Sequence, residues 1–238
     1  MEYIQLFENF INERSYNIDT KFVNKVFNDI KDELIDKDLG NIEIADILNS
    51  NFKTYRVSFE AGFGTSQFSN MTEVGIIEAS TDASGNVIIY YADYFYEIFE
   101  DDYFFKNLIS IVSRCIAHEL VHREQISKIK RKNGIYDAEG IIAALGTDPR
   151  HQYKYLSSKQ EMMAFAIEAV EEYRSLGYND NQILQKMKKP FGEVEGDIFH
   201  MYVSFFDYRD NMYSPKERKT VKSILDRFLK YMYEYIKN

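Results

Sequence analysis

The chain has 238 residues, 45% hydrophobic and 28% charged. That suffices for one large domain or two small lobes with a substantial core, and it lacks the signature of a disordered chain. The net charge of −9 argues against a nucleic-acid binder, and the single cysteine, Cys115, excludes an internal disulfide or a cysteine metal cluster.

In chain order, the opening MEYIQLFENFINER has neither the basic leader nor the apolar core of a signal peptide. No apolar run approaches the ~20 residues that span a bilayer. A cytoplasmic placement, with no membrane or nucleic-acid partner, is therefore expected. The first fifty residues read as helices, with KFVNKVFNDIKDELI spacing its apolar residues at three and four. The period then changes. FKTYRVSFEA alternates, EVGIIEAS and NVIIYYAD are short β-rich runs, and TDASGN between the last two reads as a hairpin turn, which predicts a small sheet over roughly residues 52 to 92.

From YADYFYEIF, starting at Tyr91, the pattern is helical through SIVSRCIAHELVHREQISKIKRK. The basic run at residues 128–132 fits the end of a helix, where cations meet the negative end of the dipole, and Gly134 after it reads as the stop. Residues 135–155 read as loop-rich with room for one short helix. SSKQEMMAFAIEAVEEYRSLG begins another helix, with start signals at Ser157 and Ser158 and a stop at Gly177. Two or three more helices follow. The fold class is thus α+β and mostly helical, with a small antiparallel-containing sheet. Residues 1–134 would form a lobe of helices, sheet and central helix. Residues 135–238 would form a helical lobe, the two making one compact domain with a cleft.

The central helix carries H-E-L-V-H, with His118 and His122 four apart and Glu119 after the first. At 100° per residue the histidines lie ~40° apart, close enough to converge on one ion, while Glu119 points ~100° away from His118, beside the ion. That pattern suits a zinc hydrolase: two neutral imidazoles hold the metal and a neighbouring carboxylate takes a proton from water. The competing reading is a buried histidine pair satisfied by core hydrogen bonds, since Ile111, Cys115 and Ile129 fall on the same stripe. Ala117, Leu120 and Val121 make the back of the helix apolar as well. Two imidazoles and a carboxylate are costly in so buried a place unless a metal satisfies them.

HELVH on a helix preceded by a β-hairpin resembles the zincin metallopeptidases, over about residues 52 to 175. The resemblance implies one zinc ion per chain, a fold in which the active-site helix packs under a sheet, Glu119 as general base, and an extended peptide or protein substrate pairing with a strand such as NVIIYYA. Gln125 and Lys128 stand where the metzincin subgroup needs Gly and His. GTDPRHQYK matches the aspzincin pattern poorly, with Pro149 at its aspartate position. YLSSKQEMMAFA, residues 155–166, resembles the gluzincin arrangement and a Y-L-S-x-x-x-E-x-x-A-x-A pattern of bacteriophage H-E-x-x-H proteins, and on that analogy Glu161 is the third ligand.

Two boxes compete for that helix start. Ser158 with Glu161 has capping-box spacing, and Ser157 with Gln160 is an equally good box that would leave Glu161 available. His151 is the competing third ligand, and His151, Tyr153 and Tyr155 are candidates for oxyanion or substrate contacts. His200 reads as a core or interface histidine, Cys115 as a small buried hydrophobe, and the glutamates of EMMAFAIEAVEEY as a solvated edge, with Glu168 able to orient a ligand. The leading function is a zinc-dependent peptidase. The alternative is a non-catalytic phage or viral structural protein with a structural or vestigial metal site.

Overall fold

A computed structural model describes residues 20–36, 39, 41–61, 77–82, 84–91, 102–131, 149–191, 197–209, 211 and 213–237. They fall into two compact units, one within Ser15–Gly134 and one within Ile135–Asn238. Most described residues are helical, with one three-stranded mixed sheet, an α+β fold. Gly134, where the central helix was expected to stop, lies outside the described residues.

The first unit begins with helices α1 (Thr20–Asp36) and α2 (Asn41–Phe52). A short 3-10 turn at Lys53–Tyr55 ends in Arg56, whose left-handed φ of 57° redirects the chain into β1 (Val57–Ala61). The alternation expected from residue 52 therefore begins as strand only at Val57, because the helix and its turn claim the preceding residues. The expected hairpin is present: β2 (Ile77–Thr81) and β3 (Val87–Tyr91) pair antiparallel, with Thr81 opposite Val87.

Asp82 builds the turn. Its Oδ1 accepts from the backbone N–H of Ser84 and of Asn86, both at 2.8 Å, and its Oδ2 accepts from Asn86 Nδ2 at 2.7 Å. Gly85 takes φ +84°, a conformation that disfavours any residue with a Cβ.

β1 joins the other side of β3 in parallel, so the order is β1-β3-β2. This corrects one expectation. The NVIIYYA strand is the centre of the sheet, flanked on both sides, and cannot receive a substrate strand. The β1 edge is blunted at Phe59, whose N–H donates to Asn49 Oδ1 (2.6 Å) and whose carbonyl accepts from Asn49 Nδ2 (3.0 Å). Among the described residues, β2 pairs on one side only, with β3.

Val57, Phe59, Val87, Ile89 and Tyr91 are buried, two apart along each strand as the pleat requires. They share one core with Phe27 and Phe52 and with Leu108, Val112, Ile116 and Leu120 of α3 (Asp102–Arg131). Phe27, Phe52, Phe59 and Phe105 meet at tilted or edge-on angles with centroids 5.2–6.4 Å apart, the arrangement that the ring quadrupole favours. Helix α3 packs against β2 and β3, and α1 packs against α3. Arg123 ties the parts together: its Nη1 donates to Tyr55 O at 2.6 Å, and its side chain lies under Gly85, where an added Cβ would stand 3.2 Å from Arg123 Cγ.

The second unit is all helical among its described residues: α4 (Pro149–Ser157), α5 (Lys159–Ser175), α6 (Asp180–Met187), α7 (Asp197–Phe205) and α8 (Pro215–Lys237). Pro149 opens α4, where its missing N–H costs nothing. Helix α5 is the hub, packed by α4, α6, α7 and α8. It ends as expected at Gly177 (φ +88°), with Gly177 N–H bonded to Arg174 O and Tyr178 N–H to Tyr173 O, both at 3.0 Å.

The glutamates of α5 are not a solvated edge. Glu161, Glu168, Glu171 and Glu172 are all buried. A helix packed on several sides has no solvated edge to give, so its carboxylates take internal donors. Glu171 Oε1 accepts from Arg174 Nη1 (2.7 Å) and Tyr235 OH (2.9 Å), and Glu172 Oε2 accepts from Ile198 N–H (3.0 Å). His200, expected in a core or interface, is exposed on α7.

Candidate metal centre

Helix α3 is buried along most of its length and sets its HELVH turn beside the end of the hairpin, where Thr81 meets Glu119 and Gly85 meets Arg123. His118, Glu119 and His122 are each 7–8% exposed. The two Nε2 atoms converge at 3.1 Å. Two nitrogens at zinc-ligand distance, ~2.0–2.1 Å, from one tetrahedral ion sit roughly 3.3 Å apart, so the pair fits a shared ion. The same spacing also lets one Nε2–H donate to the other's lone pair. Ligand atoms of His118, Glu119 and His122 all lie within 4.8 Å of one another, a buried group able to hold a metal ion.

Two residues missed by sequence reasoning complete the site. Gln125 Oε1 lies 3.1 Å from His122 Nδ1. Accepting the Nδ1 proton leaves the Nε2 lone pair aimed at His118 and at any ion between them, the support that metal-binding histidines take from a neighbouring acceptor. Its signal in the sequence was its place one turn after His122. Thr81, the last residue of β2, has Oγ1 2.7 Å from Glu119 Oε2 and 2.9 Å from Glu119 O. No local pattern reveals that contact, since the two residues are 38 apart in sequence.

The remaining sequence candidates belong to the second unit. Glu161 is 1% exposed, at the third position of α5. Its N–H donates to Ser158 Oγ at 3.3 Å, while the Ser158 N–H donates to Tyr155 O at 2.9 Å. The box is thus half made, and the Glu161 carboxylate does not close it. Ser157 is not the cap, because its Oγ donates to Lys154 O at the end of α4. Tyr153 packs edge-on against Phe206, and burial pushes its hydroxyl above the ordinary tyrosine range. Tyr155 packs edge-on against Phe165. The His151 side chain lies outside the described residues. In the first unit, Cys115 is half-buried and packs on the core.

Comparison with family models, curated proteins and solved structures finds no match to this chain. Among the described residues, no helix is long and apolar enough to cross a membrane.

Proposed function

We propose that the protein is a zinc-dependent metallopeptidase of zincin type, with His118 and His122 as ligands and Glu119 as general base. The observation that carries this reading is the convergence of the two imidazoles at 3.1 Å on a buried helix face, with a carboxylate in the same group. His118 and His122 would hold the ion, and zinc bound there would supply the Lewis acidity that activates water at neutral pH and polarises a carbonyl group. Glu119 takes the water's proton and delivers it to the leaving amine. Gln125 keeps the His122 lone pair directed inward. On the gluzincin analogy the sequence pattern makes Glu161 the candidate for the third protein ligand, with His151 as the competitor.

β2 is the strand suited to an extended peptide. Its paired side is filled by β3, and its last residue touches Glu119. A peptide adding along the other side would gain main-chain hydrogen bonds and pass beside the general base.

The test is hydrolysis of a mixed peptide library by the zinc-loaded chain and by Glu119→Gln. The expected result is cleavage by wild type, a loss of at least ~100-fold in the variant, and equal zinc content in both. Equal zinc with equal turnover would overturn the assignment of Glu119. Zinc without turnover in either would favour the non-catalytic alternative, a structural protein with a structural metal.

A further inference from the structure

We propose that Thr81 is a positioning residue that decides which part Glu119 plays: it keeps the carboxylate beside the metal as a proton carrier and off the metal as a ligand. The inference rests on the metal reading above. Helix geometry alone does not settle this choice, because Glu119 offers a carboxylate oxygen within 4.8 Å of the ligand atoms of both histidines. Carboxylates are competent zinc ligands, and a small swing of the side chain would close the position that a hydrolytic site must keep open. The restraint comes from outside the helix. Thr81 Oγ1 sits 2.7 Å from Oε2 and 2.9 Å from the Glu119 carbonyl, so one hydroxyl proton is shared between the side-chain and backbone oxygens of the same residue, with the shorter contact to the carboxylate.

Thr81 is itself firmly placed. It pairs with Val87 at the last rung of the hairpin, directly before Asp82, whose carboxylate organises the turn. The turn is pressed against α3 by the close approach of Gly85 to Arg123, one residue after His122. Sheet register is thereby converted into the orientation of one carboxylate. A β-branched residue fits a strand end, and of the two β-branched side chains of this size, valine and threonine, only threonine carries the hydroxyl.

The test is an azide titration of the cobalt-substituted full chain, followed by visible absorption. Azide reports on the open coordination position and requires no substrate. Wild type and Thr81→Ser should bind azide alike. Thr81→Val, with Thr81→Ala as a second hydroxyl-free variant should the first fail to fold, should bind it at least tenfold more weakly, because Glu119 occupies the position. In a Glu119→Gln background the same Thr81 substitutions should have no effect. Cobalt binding with unchanged azide affinity in Thr81→Val and Thr81→Ala would overturn this inference and leave the metal reading standing. So would a Thr81 effect that persists without the Glu119 carboxylate, which would mark Thr81 as merely structural. A wild-type chain that binds no cobalt would overturn the metal reading and this inference with it.

Discussion

Replacing Gln125 by methionine keeps the length and flexibility of the side chain and removes its acceptor. In the structure Gln125 Oε1 is 3.1 Å from His122 Nδ1, so the substitution deletes one hydrogen bond to the imidazole and leaves the Nε2 end untouched. Without that acceptor, the Nδ1–H, Nε2-lone-pair tautomer is less favoured, and the ring is freer to turn. Losing such an outer partner typically weakens metal binding by about 10–100-fold, or ~1.4–2.7 kcal/mol. Gln125→Glu offers a charged acceptor in the same place, and charge-assisted bonds are roughly twice as strong as neutral ones. Zinc affinity should therefore fall for methionine and hold or rise for glutamate, measured by competition with a chromophoric chelator on samples of equal helicity. Methionine within about threefold of wild type, or glutamate weakened as much as methionine, would refute the reasoning.

Glu161→Ala should lower zinc affinity while His151→Ala leaves it unchanged, as competition titration would report; the reverse pattern would transfer the third-ligand role to His151. Gly85→Ala should destabilise the protein by about 1–2 kcal/mol in urea unfolding, because φ +84° disfavours a Cβ and the new methyl would press on Arg123. A cost below ~0.5 kcal/mol would mean that the turn relaxes freely. Burial acts to raise the Asp82 pKa, but hydrogen bonds from Asn86, Ser84 and Gly85 together outweigh it and leave the value lowered. A group with a lowered folded pKa contributes stability above its unfolded value of ~3.9, and that contribution is lost as the pH falls through the folded value. The stability gap between wild type and Asp82→Asn should accordingly be full at neutral pH and narrow in acid below about pH 4. A gap independent of pH would refute this.

The HELVH group was legible because it needs only one helix: a fixed rotation per residue places His118 and His122 together whatever surrounds them. The hairpin was legible for a similar reason, since its turn residues Asp82, Gly85 and Asn86 all fall within residues 82–86. The order of the sheet was not. β1 reaches β3 in parallel from 30 residues away, as Val57 paired with Val87 illustrates, and periodicity carries no record of such pairing. That crossover turned the expected substrate strand into the central one. Thr81 and Asn49 act across elements and were invisible for the same reason. Gln125 was noticed only as a departure from another pattern, and its role emerged from a distance. The glutamates of α5 misled because charge implies solvent until the donors are seen; Arg174, Tyr235 and the Ile198 N–H supply them for Glu171 and Glu172.

The metal site stands or falls with His118 and His122 sharing an ion. The most direct measurement is elemental analysis of the purified full chain, without added metal, beside His122→Ala. Wild type should hold about one zinc per chain, from the ligand set of a single tetrahedral site, and the variant should lose it with the fold retained. Wild-type protein that holds no zinc even after reconstitution would contradict it, leaving the 3.1 Å contact as a hydrogen bond between two buried imidazoles.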